Sequence, residues 1–152
     1  MPYVPLSTPA GMIYIQGTEE HIVWIGFSKP DTSEGITPAI EKAVKQLNEY
    51  LDGRRKGFDL PIMVNGSSLQ KAVCSSLMKI PYGKTVTYKD VAADIGNPKA
   101  IRAVASAVGK NPVSIVIPCH RVIGSDGNMR GFAGGIPFKE YLLEVEGWTP
   151  KK

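Results

Sequence analysis

Val113-Ser-Ile-Val-Ile-Pro-Cys-His-Arg-Val122 constrains the fold more than any other stretch of this chain. An apolar run, Val113 to Ile117, leads directly into Cys119, His120 and Arg121, so burying the run draws reactive side chains toward the interior. One of only two cysteines here adjoins one of only two histidines. A thiol so placed is a candidate nucleophile, because the thiolate is the reactive form and an adjacent base or cation raises its fraction. Burial alone does the reverse, since an apolar site favours the neutral thiol. Activation therefore needs a partner, and His120 is the nearest. Successive side chains on an extended strand point to opposite faces, so Cys119 and His120 cooperate only if the chain turns there or a water bridges them. Pro118 pre-sets that geometry and holds Ile117 extended. The same residues also fit a small buried hydrophobe beside a hydrogen-bonded histidine, and spacing does not choose between the two readings.

A chain of 152 residues is long enough for one domain or two small ones. The formal net charge of +4 and pI near 9.1 suit an acidic partner such as DNA, and equally suit a slightly basic soluble enzyme. Two cysteines do not make a disulfide framework, and no secretory signal or membrane-length apolar run is visible. The expectation is a reduced, cytoplasmic monomer (nuclear in a eukaryotic source) with no membrane partner. Cys74 and Cys119 lie far apart and the histidines stand only at His21 and His120, so no metal-ligand spacing emerges and neither metal nor cofactor is expected.

Met1 to Ala10 is proline-rich and is expected to be irregular. Residues 11–16 and 21–27 read as short strands joined by the polar turn 17–20. A helix should run from Thr37 or Pro38 to about Leu51, with Ile40, Ala43, Val44, Leu47 and Leu51 inward. Phe58 to Ile62 reads as an extended segment at a sheet edge, where Pro61 needs no donor. Ser67 or Ser68 caps a helix to about Lys79, within which Cys74 is packing. Two short helices, 89–95 and 100–108, flank the turn Gly96-Asn97-Pro98-Lys99 as a candidate helix-turn-helix. The second carries small Ala100, Ala103, Ala105, Ser106 and Ala107, which permit close approach, and one large cation, Arg102. A glycine-rich run, Met129 to Gly135, suits a flat ligand or a plain loop. A last helix runs from Phe138 to Glu146, and Glu146 could reach back to orient His120.

Taken in order, Tyr88, Arg102, Asn111, Pro118-Cys119-His120-Arg121-Val122, Gly134-Gly135, Lys139 and Glu146 closely resemble the methylated-DNA–protein-cysteine methyltransferase family, the O6-alkylguanine-DNA alkyltransferases. The resemblance spans Leu69 to Gly147 and is weaker before it. It implies an α+β chain: a small N-terminal α/β domain with an antiparallel, ribonuclease-H-like sheet (1–65), then a mainly helical, winged-helix-like domain with a helix-turn-helix (66–152). It implies single-use repair of duplex DNA, in which Cys119 takes the alkyl group from O6-alkylguanine, and in some cases O4-alkylthymine, after base flipping. The resemblance makes Cys119 the nucleophile, His120 the base acting through a water, Glu146 its orienter and Tyr88 a donor to the leaving purine. Arg102, Ala103, Tyr88, Asn111 and Arg121 become DNA-binding residues, with Arg102 filling the flipped base's place and Asn111 bracing the helix to the active-site segment. Val122, Phe132, Ala133 and Lys139 become the substrate pocket. Two positions depart from many relatives, Phe132 replacing a tyrosine and Cys74 a tryptophan, and Ala133 lacks the serine hydroxyl of some relatives. The neighbouring alternative is an alkyltransferase-like lesion-binding protein, but such proteins replace the cysteine that this chain keeps.

Overall fold

Alternating burial builds the N-terminal sheet. In the computed structural model, which describes residues 1–129 and 131–148, strand β2 (Gly11–Gly17) turns Ile13 and Ile15 inward. Arg130 of the glycine-rich run and residues 149–152 lie outside the described residues. Strand β3 (Ile22–Gly26) pairs antiparallel with β2, and the turn between them closes through Thr18 N–H donating to His21 O at 2.8 Å. Gly17 is required there, because a Cβ would meet His21 O at 2.5 Å.

The expected irregular start is instead a strand, β1 (Tyr3–Thr8), paired with β2 from Tyr3 opposite Gln16 to Thr8 opposite Gly11. Pro5 is admissible because β1 is an edge strand, with one row of backbone groups not needed for pairing. Helix α1 (Pro38–Leu51) covers the sheet with Ile40, Ala43, Leu47 and Tyr50, its first turn capped by the Thr37 hydroxyl accepting from Ile40 N–H. The inner stripe thus ends on Tyr50, while Leu51 is only half-buried.

The open edge of β3 receives two later segments in succession. Ile22 N–H donates to Pro61 O at 2.8 Å and Met63 N–H to Ile22 O at 2.9 Å, which is the edge position expected for 58–62. Further along, Ile25 N–H donates to Pro112 O at 2.9 Å and Ser114 N–H to Ile25 O at 3.0 Å. The apolar run before Cys119 is therefore clamped to the N-terminal sheet.

Beyond Asn65 the chain is mainly helical: α2 (Ser68–Leu77), α3 (Tyr88–Asp94), α4 (Ile101–Gly109) and α5 (Ile136–Val145). A short parallel ribbon, β4 (Val86–Thr87) with β5 (Val122–Ile123), ties the entry of α3 to the segment after Cys119. Helices α3 and α4 form the helix-turn-helix, with Gly96 at φ +78° in the turn. Helix α4 turns Val104, Ala107 and Val108 inward and leaves Arg102 and Ala103 exposed. Cys74 is buried in α2, where Gln70 Nε2 donates to its sulfur at 3.6 Å. Burial raises its thiol pKa, partly offset by that bond, so it is a packing residue. Among the described residues, no helix is long and apolar enough to cross a membrane.

Tyr88 opens α3 immediately after Thr87, whose hydroxyl accepts from Asp90 N–H while the Asp90 carboxylate accepts from Thr87 N–H. Removing the hydroxyl in Thr87→Ala is expected to lower the unfolding free energy by about 1 kcal/mol, read from urea denaturation.

Candidate functional site

Asn111 shapes the approach to Cys119. Its Nδ2 donates to Ile117 O at 2.7 Å and its Oδ1 accepts from Val113 N–H at 3.0 Å, while Ile117 N–H donates to Val113 O at 2.9 Å. The run is thereby folded into a tight loop, and Ile115 within it takes φ +73°, a costly conformation for a β-branched residue that only an over-determined surrounding sustains. After Pro118 the chain makes a turn of 3-10 helix over Cys119–Arg121. The turn removes the alternation that would have put Cys119 and His120 on opposite faces of a strand.

Cys119 is 5% exposed and His120 is fully buried. Burial pushes the Cys119 thiol up, and bonds from Asn111, the charge of Lys139 and a bond from Ser114 offset only part of this. At rest the thiol keeps its proton. His120 Nε2 lies 2.7 Å from Glu146 Oε2, which makes Nε2 the donor and leaves Nδ1 as the basic nitrogen. That Nδ1 is buried without a protein hydrogen bond among the described residues. Burial lowers the His120 pKa, and the bond and charge of Glu146 counter it in part.

Glu146, the residue closing α5, is the centre of the network. Besides His120, its carboxylate accepts from Arg121 Nε (2.9 Å), Arg121 Nη2 (3.0 Å), Gly83 N–H (2.9 Å) and the Tyr50 hydroxyl. Burial alone would raise its pKa, but the hydrogen bonds from His120, Arg121 and Tyr50 together hold it down to about 2. Arg121 Nη1 donates to Ile80 O at 2.7 Å, which fixes the guanidinium fork. The resemblance puts Arg121 among the DNA contacts, and the structure corrects this. Arg121 is 7% exposed and turned inward onto Glu146, so its charge serves the interior.

An enclosed cavity of about 10 Å³ touches Cys119, lined also by Asn111, Ser114, Val108 and the loop 131–133. Gly109, Gly131, Phe132 and Ala133 are shared with an open cavity of about 500 Å³ that Tyr88, Ile101, Arg102 and Ala105 complete. The thiol thus lies beneath a cleft between α4 and the glycine-rich loop. Tyr88, Arg102, Phe132 and Ala133 line that cleft. Ala103 is exposed on α4 outside the cavity lining, and Asn111 is a buried brace rather than a surface contact. Val122 and Lys139, expected in the pocket, lie behind its wall. Val122 is buried on β5, and Lys139, 1% exposed, donates from Nζ to Val122 O at 2.5 Å.

Sequence reasoning misses two contributors from the N-terminal domain. Phe27 packs against Phe132 (ring centroids 5.1 Å apart) and Phe138 (4.8 Å), and a Cβ on Gly134 would meet the Phe27 ring at 2.7 Å. It therefore supports the loop that walls the cleft. Tyr50 reaches Glu146 from α1, and its only signal is its place on the helical stripe after Ile40, Ala43 and Leu47.

A buried thiol followed directly in the chain by the histidine of an imidazole–carboxylate pair, under a cleft beside a helix-turn-helix, fits a cysteine nucleophile that meets its substrate at a nucleic-acid-binding surface. Residues 1–64 match the ribonuclease-like domain of 6-O-methylguanine DNA methyltransferase, and residues 68–148 match its DNA-binding domain. The chain is 41% identical to a Methanosarcina acetivorans methylated-DNA–protein-cysteine methyltransferase, over 97% of this chain and 99% of that protein. It is 38% identical to the constitutive Bacillus subtilis enzyme, over 95% and 94%. Its fold superposes on Mycobacterium tuberculosis OGT, solved in complex with DNA, with a TM-score of 0.89 and 36% identity, covering 96% of this chain and 92% of that one. The chain belongs to the methylated-DNA–protein-cysteine methyltransferase family.

Because its folded pKa is about 2, below the unfolded value of about 4.3, Glu146 contributes stability above that unfolded value and loses it as pH falls through the folded one. Glu146→Gln is expected to cost about 3 kcal/mol or more at neutral pH, since Arg121 is left buried without its counter-charge. It should also flatten the fall in urea midpoint over that acidic window, which a pH series of denaturation curves measures.

Proposed function

We infer that this protein repairs duplex DNA directly, by moving the alkyl group of O6-alkylguanine onto Cys119. The observation that carries this reading is that the cavity at Cys119 shares the wall Gly109, Gly131, Phe132 and Ala133 with a cleft edged by Tyr88 and by Arg102 of the helix-turn-helix, while His120, the next residue, is paired with Glu146. A base inside a duplex cannot reach a buried sulfur, so the nucleotide must leave the stack. The outer cavity, about 500 Å³, is of a size to receive it. The exposed, small-residue face of α4 suits close approach to a groove, with Arg102 occupying the space the base vacates.

In the reaction, His120 Nδ1 takes the thiol proton through a water, and Glu146 stabilises the imidazolium. Sulfur attacks the alkyl carbon in line, the S–C bond forms and the C–O6 bond breaks, and the electron pair passes to the purine. The Tyr88 hydroxyl donates toward the purine as that charge develops; guanine takes up a ring proton from solvent, and His120 returns the thiol's proton to solvent, so protons balance. A thioether remains on Cys119. It presents no bond that water readily cleaves, so each molecule acts once. Phe132 supplies an aromatic wall without a hydroxyl, and Ala133 leaves only backbone groups to contact O6, which makes this pocket less polar than a Tyr-Ser pair would.

Exposure to duplex DNA containing O6-methylguanine should add one methyl mass per molecule, on the peptide that contains Cys119; an adduct confined to Cys74 overturns the assignment. Cys119→Ala should abolish transfer while keeping DNA affinity. Arg102→Ala should weaken binding and flipping by about tenfold or more, and unchanged binding and transfer rates would mean that Arg102 does not fill the flipped base's place.

A further inference from the structure

We propose that Tyr50, on the N-terminal helix α1, is a positioning residue for alkyl transfer: its hydroxyl holds Glu146 Oε2 where that oxygen accepts from His120 Nε2, and so sets how readily His120 takes the thiol proton. The inference rests on the reading of His120 as base and Glu146 as its orienter. Tyr50 is fully buried, and its ring packs between Phe58 (5.3 Å between centroids) and Tyr82 (6.2 Å, edge-on). A phenylalanine would fill that space. The hydroxyl is the part that packing does not explain, since burying it costs stability unless it is bonded. It is aimed at the catalytic network: it donates to Glu146 Oε2 and lies 3.3 Å from His120 Nε2.

Oε2 therefore serves two donors, Tyr50 and His120, with Arg121 Nη2 alongside. Each donor draws on the same carboxylate charge, so the Tyr50 bond reduces what Glu146 can offer an imidazolium. The charged groups around His120 are Glu146 at the end of α5, Lys139 within α5 and Arg121 on the Cys119–Arg121 turn, and Tyr50 is the polar group that α1 contributes. The neighbouring Tyr82 hydroxyl goes elsewhere, to Val145 O at 3.2 Å. Burial, then the charge and bond of Glu146, raise the Tyr50 pKa, so it remains a donor across the working range.

Single-turnover transfer rates at saturating O6-methylguanine duplex, measured across pH, test this. Tyr50→Phe should still end with one methyl on Cys119, but the acid limb of its rate profile should move up by about 0.5–1 pH unit as the freed carboxylate favours the imidazolium. Replacing Tyr50 with 3-fluorotyrosine keeps the hydroxyl and strengthens it as a donor, so the limb should move down. Tyr82→Phe should leave the limb in place even if the melting temperature falls. An acid limb unmoved in both Tyr50 variants, or moved in the opposite sense, overturns the proposal. Failure of the unmodified protein to methylate Cys119 overturns the functional reading instead.

Discussion

The buried carboxylate of Glu146 is the interaction on which the rest of the site depends. It joins four pieces of chain distant in sequence: α1 through Tyr50, the segment before β4 through Gly83, the turn of Cys119–Arg121, and its own helix α5. Removing a carboxylate from water costs several kcal/mol, and the interior returns this only when the lone pairs are well used. Here they are used by donors in fixed directions, among them the Arg121 fork held in turn by Ile80 O. Such a network does less for net stability than for uniqueness. An apolar cluster would tolerate slippage between α5 and the Cys119 turn, whereas this one permits a single register.

The same network explains how a buried thiol serves as a nucleophile without being reactive at rest. Burial keeps Cys119 neutral, and a neutral thiol resists oxidation and stray electrophiles. His120, the base inferred above, is biased toward neutrality, because burial lowers its pKa while Glu146 fixes its tautomer. On the mechanism inferred above, proton transfer is helped as the S–C bond forms and takes up the charge developing on sulfur. Reactivity is thus conditional on a substrate that fits the cleft, which suits an acceptor that cannot be regenerated.

Much of this is legible in the sequence because the signals are local. Thr37, Ser67 and Thr87 cap helices where hydroxyl residues precede apolar periodicity, and the Pro-Cys-His-Arg run together with a terminal glutamate indicates the imidazole–carboxylate pair. What stays hidden lies in tertiary pairing. Prolines at Pro2, Pro5 and Pro9 obscure the alternation of Val4, Leu6 and Thr8 in β1, which only its edge position makes compatible with a strand. Arg121 beside His120 reads as a surface charge until its carboxylate is seen 25 positions away. Val122 and Lys139 carry the right order but not the direction in which they point. Tyr50 meets Glu146 across 96 positions, and no periodicity within α1 could distinguish a tyrosine that fills space from one that donates.

The division of labour around the sulfur follows from what surrounds it. On one side, Asn111 and the strained loop at Ile115 are bonded to backbone and clamped to β3, so they give little. On the other, the glycine-rich loop carrying Phe132 is tied by Gly135 N–H donating to Phe132 O at 2.8 Å, by ring contact with Phe27 and by the fit of Gly134 against that ring. The cavity against Cys119 is narrow, about 10 Å³, with Asn111 and Ser114 on one side of it and Gly131, Phe132 and Ala133 on the other. Directional bonds resist displacement more steeply than apolar contacts, which slide. The Phe132 side rests more on apolar contact, and the N-terminal domain backs it through Phe27. The domain that lacks Cys119 thus touches the site at two places, the His120–Glu146 pair through Tyr50 and the wall at Phe132 through Phe27.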